Sequence, residues 1–380
     1  MLFSDVEGHA QLKQKLRESV SENRIAHAQL FAGPEGSGAL ALAIAYARFI
    51  ACENRNHNDA CGSCTSCLKF NKLTHPDLHF SFPVVKLEKQ KGLADEYIVP
   101  FRSAFLNNPY LGLDAWMDEI DGGNKQPSIF ADEAHEIIRK LTMVSVEGGY
   151  KFMIIWLPEL LNPTSANRLL KTLEEPTNKT ILMLISEQPE NILGTILSRC
   201  QLHKIKPYTT EECANVLSRQ NPESNTDYHQ LAEIAEGNAA LALWMLQNRD
   251  ATGEQLALFR DWMLACYQFH VQNLMAMSEP FQKKGREWQK GFLSYCLFMI
   301  RQTLLHNHLP DLVRLGSEEK AFIEKFSRFF HPGNYAEISG YINQAFLHVK
   351  GNGHGRIIFF DTSMQISDVF RKEKNVPVRV

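Results

Sequence analysis

Two stretches of this 380-residue chain carry residue types at spacings that can do chemistry. The first is Cys52, Cys61, Cys64 and Cys67, spaced C-x8-C-x2-C-x2-C. Four thiolates suit tetrahedral zinc with Zn–S bonds of about 2.3 Å, and Gly62 and Ser63 permit the tight turn between ligands. A closed set of four leaves no open position for substrate, so such a zinc is structural. Clustering in a chain otherwise sparse in cysteine argues against accidental thiols. A third and fourth cysteine so near argue against a redox CxxC pair. His57 lies inside the loop, either as a solvated residue or as a further ligand.

The second stretch is Gly33-Pro34-Glu35-Gly36-Ser37-Gly38-Ala39-Leu40, between an apolar strand candidate (27–32) and an alanine-rich helix (about 37–50). A strand, a glycine-rich turn and a helix form the setting of a phosphate-binding loop, G-x-x-x-x-G-K-[ST]. Gly33 and Gly38 hold their places, with Gly36 between them, and the last two positions fail. Ala39 stands where a lysine would reach the β and γ phosphates, and Leu40 stands where a hydroxyl would hold magnesium. Glu35 adds a negative charge inside the loop. The stretch reads as a glycine turn packing a helix on a sheet, or as a degenerate phosphate loop. Neither supports catalysis, although backbone N–H groups at a helix start hold anions weakly.

The elements that must position these residues follow from patterning. Phe152 to Leu157 is an apolar run bounded by Lys151 and Pro158, as suits a strand buried on both faces. Asn162 is an N-cap with Pro163 in the first helical position. Ala166, Leu169, Leu170 and Leu173 then line one helical face up to Pro176. Nucleotide sites carry acidic residues for magnesium at the C-terminal end of such a strand, and here that end is Trp156 and Leu157. Further strands are expected at 78–82, 180–185 and 202–205, and helices near the N-terminus and at 132–144. Residues from about 86 to 127 lose periodicity and read as an insertion on the domain edge, partly helical, either surface decoration or a partner contact through exposed aromatics. From Pro207 the texture is helical. A small domain spans 207–248 and a larger all-α domain 249–380, whose Met and aromatic stripes read as core. The basic tail 371–380 reads as frayed.

The totals bound the answer. A formal charge of −3 gives no overall basic footprint for autonomous nucleic-acid binding. No apolar run approaches the ~18 residues that would span a bilayer, and the first residues lack the pattern of a signal peptide. Eight cysteines in a chain of this size make no disulfide scaffold. A cytoplasmic protein with a metal site and no membrane partner is the expectation.

The motifs together resemble the clamp-loader branch of the AAA+ superfamily, on the side of the δ′ subunits of bacterial DNA polymerase III. The carrying residues are RIAHAQLFAGPEGSG (24–38), the cysteine quartet, HPD (75–77), NRLLKTLEEP (167–176) and Ser198-Arg199-Cys200. The resemblance covers residues 1 to about 205 clearly and has no counterpart for 86–127. It implies an α/β P-loop AAA+ domain with a parallel sheet (1–206), a helical lid (207–248) and an all-α collar for oligomerisation (249–380). It also implies a hetero-pentameric ring with ATPase subunits and a clamp-opening subunit, acting on a sliding clamp and primed DNA during replication. In that family the δ′ kind of subunit is a stator that does not hydrolyse ATP. Its SRC arginine, here Arg199 flanked by Ser198 and Cys200, projects in trans into a neighbour's ATP site as an arginine finger. The family's ATPase subunits keep a loop lysine and threonine, an Asp-Glu pair and a lid arginine. This chain has Ala39 and Leu40, Trp156 and Leu157, and, with Gly237 aligned, Ala240. The resemblance therefore implies a DNA polymerase III component that is no enzyme by itself, with structural Zn2+ and no ATP turnover. Two alternatives stand beside it. One is an ATP-hydrolysing loader subunit with divergent motifs, which needs a replacement cation such as Lys171. The other is a zinc-dependent nucleic-acid binder.

Overall fold

The computed structural model describes residues 1–86, 91–122, 125–222, 227–247, 250–313, 315–330 and 332–374. The expected boundary at 248/249 and the tail from 375 onward lie outside the described residues. Two compact units emerge, Met1–Val216 with Gly237–Ala240, and Leu217–Glu236 with Leu241–Val380.

The first unit is built on five parallel strands, β1 (Ala28–Ala32), β2 (Leu78–Ser81), β3 (Lys151–Trp156), β4 (Thr180–Ser186) and β5 (Gln201–Lys204), in the order β2-β3-β4-β1-β5. Every residue of β1, β3 and β4 is buried, which is why these runs read as continuously apolar rather than alternating. Side chains still alternate between the faces. Phe31, Phe152, Ile154, Trp156 and Met183 join one core, and Leu30, Ala32, Met153, Ile155 and Leu184 the other. This is the parallel α/β frame expected for residues 1–206.

Helix α1 (Ala10–Ser21) follows a short turn whose Phe3 is buried. Helix α2 (Ala39–Ala51) is buried along every residue from Ala39 to Ile50, so its alanines let it lie close on the sheet. Helix α3 (Thr65–Asn71) packs on α2. On the other face lie α6 (Ala131–Thr142) and α7 (Pro163–Glu174), with Asn162 capping α7 by accepting from the Thr164 N–H at 2.9 Å. The short α8 (Gly194–Leu197) leads into β5. Observed ends shift from the expected ones by a residue or two, as fraying ends do.

The insertion is partly helical, as expected, but its aromatics correct the expectation of exposure. It forms α4 (Ile98–Asn107) and α5 (Leu113–Glu119), and its aromatics are not exposed. Phe101, Phe105 and Trp116 are fully buried, and Tyr97 and Tyr110 nearly so. Phe101 stacks on Phe82 with centroids 4.1 Å apart, and the Trp116 indole donates to the Pro83 carbonyl at 2.7 Å. The insertion thus roofs the sheet beside β2 and β3.

Asp77 of the HPD motif ties down the loop between α6 and β3, accepting from Ser145 Oγ, Val146 N and Glu147 N at 2.8–3.0 Å. Burial alone would push its carboxyl up, but these three donors outweigh burial and hold it below the usual range.

Helix α9 (Thr210–Gln220) leaves the first unit. The described part of the second unit is helical, with α10 (Tyr228–Ile234), α11 (Ala239–Gln247), α12 (Asp250–Gln268), α13 (Val271–Lys283), α14 (Arg286–His308), α15 (Ser317–Phe326), α16 (Pro332–Lys350) and α17 (Gly355–Lys374). Helix α14 runs through its centre against α16, α15 and α10. Trp262, Phe292, Met299 and Phe359 are buried, and Trp262 stacks on Phe359 at 4.8 Å, so the Met and aromatic stripes are core. Residues 371–374, expected to fray, continue α17.

Candidate functional site

The glycine loop sits where the sequence places it, between the C-terminal end of β1 and the start of α2. Gly33 N–H donates to Ser186 O at 3.1 Å, and Gly38 caps α2 with φ +77°. Gly36 has φ +72°, and a Cβ there would lie 2.7 Å from the Ala239 nitrogen. The Ala239 N–H donates to Gly36 O at 3.3 Å. The segment Gly237–Ala240 therefore lies on the loop, with Ala240 where the family resemblance sought an arginine.

The space in front of the loop is nearly full. Trp156 of β3 lines it, and so do Pro109, Tyr110 and Leu111 from the insertion, between α4 and α5. The remaining cavity is about 30 Å3, room for one or two waters, where small-molecule sites run to about 300 Å3 or more. Glu35 is buried in the loop, and a Cβ on Gly112 would lie 2.2 Å from its Oε1. Phe101 packs against Trp156 at 6.0 Å, so the residue replacing the acidic position is part of the insertion's core. Sequence reasoning did not anticipate this filling. The available signal was the four-residue spacing of Tyr97, Phe101 and Phe105, one face of a buried helix. Lys171 is exposed on α7 and does not line the cavity, so it supplies no replacement cation there.

Arg199 lies at the opposite rim. The register pairs Gln29 with Gln201 and Ala32 with Lys204, so Arg199 precedes β5 while Gly33 follows β1. The six-residue offset in this register, at about 3.3 Å per residue, puts the two roughly 20 Å apart along the strands. Arg199 is partly exposed. Its Nη1 donates to Thr195 O at 2.7 Å and to Ser198 Oγ at 3.4 Å, and its Nη2 pairs with Glu174 at the end of α7. Ser198 Oγ itself donates to Thr195 O at 3.2 Å. Cys200 is half-buried against the α7 side of the sheet, and burial pushes its thiol up to about 11, which suits packing rather than nucleophilic work.

The four cysteines converge. Their sulfurs all lie within 4.8 Å of one another, with Cys52–Cys64 at 3.9 Å and Cys61–Cys67 at 4.0 Å. A tetrahedron with metal–sulfur bonds of about 2.3 Å has edges of about 3.8 Å, so the spacing fits a metal ion. Backbone N–H groups of Cys61, Cys64 and Cys67 point at the sulfurs of Cys52, Cys61 and Cys64 at 3.2–3.5 Å. The N–H groups of Ser63 and Cys64 pull the Cys61 thiol down to about 6, while burial pushes Cys52 up to about 12. A bound cation would offset that burial. His57 is exposed and stands outside the metal-holding group.

No helix among the described residues is long and apolar enough to cross a membrane. The family described as "DNA polymerase III, delta subunit" matches residues 8–209, just over half of the chain. The DNA polymerase III subunit delta' of Escherichia coli is 30% identical over 242 residues, 63% of this chain and 60% of that one. The subunit tau of Bacillus subtilis is 24% identical over 94% of this chain and 60% of its own length. The subunit delta' of Bacillus subtilis is 28% identical over 80% and 78%. The alignments thus span about 60% of the length of the first two relatives.

Proposed function

This chain belongs to the DNA polymerase III delta-subunit family, and from that premise we propose that it is a clamp-loader subunit of the δ′ kind. In this reading it does not turn over ATP. It serves as a stator within a five-subunit ring that places a sliding clamp on primed DNA, with residues 207–248 as lid and 249–380 as collar. Arg199 reaches a neighbouring subunit's nucleotide.

The observation that carries the proposal is the polarity of the sheet. Arg199 and the glycine loop sit at opposite ends of parallel strands, so the arginine is badly placed for its own loop, which supports a role on another chain's. At its own loop, Ala39 and Leu40 remove the cation and the magnesium ligand, Trp156 removes the acid, and Pro109–Leu111 take the space. Without those charges, nothing neutralises the charge that develops on a γ-phosphate.

Four thiolates at tetrahedral spacing support the reading of a structural zinc. Zinc would be held by Cys52, Cys61, Cys64 and Cys67, and would hold the chain segment between α2 and α3 to the domain.

The test measures magnesium-dependent ATP binding and turnover by the purified chain, alone and with its loader partners. No turnover alone, together with co-purification of an ATPase subunit and a clamp-opening subunit, is the expected result. Robust hydrolysis by the chain alone would overturn the proposal in favour of a divergent ATPase subunit.

A further inference from the structure

Arg48 of α2 is 2% exposed. Its Nη1 donates to Met1 O at 3.2 Å, and its Nη2 donates to Gly62 O at 3.3 Å, inside the turn that joins Cys61 to Cys64. Its Nε is shut off from water without an acceptor. Among the described residues, no carboxylate lies within ion-pair distance of Arg48. The carboxylate of Asp59, near the N-terminus, is taken by the N–H groups of Phe3, Ser4 and Ala60.

A guanidinium stays charged at any ordinary pH, and a charge removed from water requires an opposite charge close by. Among the described residues, the cysteine quartet is the group beside Arg48 that would gain a net negative charge on binding a metal, while the Asp59 carboxylate faces the backbone N–H groups at the N-terminus. Four thiolates around a divalent cation leave two negative charges over, and that surplus would lie beside the buried Arg48, which bonds the turn between Cys61 and Cys64. We propose that Arg48 is the buried counter-cation of a tetrathiolate metal centre, and that it sets how tightly the metal is held. The inference rests on the metal reading of the quartet. It adds that the arginine and the loaded site need each other. With the site loaded, each charge meets its opposite. With the site empty, the guanidinium loses the surplus negative charge that a loaded cluster would set beside it. Charges and hydrogen bonds just outside a ligand set commonly change metal affinity by about 10- to 100-fold.

The test compares the full chain with Arg48→Gln, which keeps a donor toward Gly62 but no charge, and with Arg48→Lys, which keeps the charge. Zinc is titrated against a chromogenic chelator, and melting is followed with zinc present and after chelation. Arg48→Gln is expected to hold zinc about 10- to 100-fold more weakly, and Arg48→Lys to stay within a few-fold of the natural chain. Loaded with zinc, Arg48→Gln melts below the natural chain; after chelation it melts at the same temperature or higher. Equal zinc affinity for Arg48→Gln overturns the inference. So does an equal loss of melting temperature with and without zinc, which would assign Arg48 to the Met1 and Gly62 carbonyls alone. If the natural chain takes up no zinc at all, the metal reading fails first and the inference with it. If it takes up one zinc per chain that Arg48→Gln holds equally well, only the inference fails.

Discussion

If Arg199 reaches a neighbour's phosphate as proposed, it must first leave its own partners. Two of its donors are spent on Thr195 O and Glu174, and a partly exposed ion pair of this kind contributes at most about 1 kcal/mol. A nucleotide phosphate outcompetes such a partner at little expense. Arg199→Ala should therefore cost less than about 1 kcal/mol of chain stability and leave assembly intact. It should lower turnover at the adjoining ATP site by roughly 10³-fold or more, read as single-turnover hydrolysis by the reconstituted loader. Unchanged turnover removes the finger assignment. If the quartet holds zinc as proposed, Cys64→Ser should cost the chain that zinc, measured by elemental analysis, and lower its melting temperature. At this scale the sequence is a good guide where chemistry is local, as in a quartet confined to residues 52–67. It is silent about Glu174, which meets Arg199 across 25 residues only because α7 ends beside α8. It is equally silent about Arg48, an ordinary helix residue until the fold buries it beside the quartet.

At the scale of elements, the unit running from β3 through α7 is legible because its periods are regular, with a continuous apolar run, an Asn-Pro start and one apolar helix face. The insertion is not legible, because its short helices have no long period and their aromatics point inward. Its importance gives a prediction. Phe101 is fully buried between Phe82, Trp116 and Trp156, so Phe101→Ala should destabilise the α/β domain by about 3–5 kcal/mol in denaturant unfolding. The strands and loops of this domain also hold histidines kept neutral by burial. His79 and His203 are pushed down to about 4, and His9 and His75 are also lowered. Between pH 6.5 and 4 the unfolded chain binds protons that the folded chain refuses. Unfolding is therefore favoured as pH falls through that window. The melting temperature should decline from pH 6.5 to 4, and His203→Gln should decline less steeply. A flat profile over that range contradicts the burial argument.

For the whole molecule, composition and periodicity anticipate a parallel α/β part followed by helices. They do not give the strand order β2-β3-β4-β1-β5, since neighbours in a parallel sheet are joined by long crossovers and pair only in three dimensions. That order decides which side of the molecule each functional residue faces. One consequence concerns copies of this chain. A finger-to-loop contact between two copies would bring Arg199 of one to a loop already occupied by Tyr110 and Leu111 of the other. Sedimentation of the purified chain should therefore show no open-ended association, and Arg199→Ala should leave its sedimentation unchanged.

A sheet whose strands all point one way gives the molecule a front and a back that are not interchangeable. On the proposed reading, one end reaches forward to a neighbour while the other is lined by the chain's own insertion. In any head-to-tail row built on that contact, such a chain is punctuation: it can close a sentence of repeating subunits, and nothing of the same grammar can be written after it.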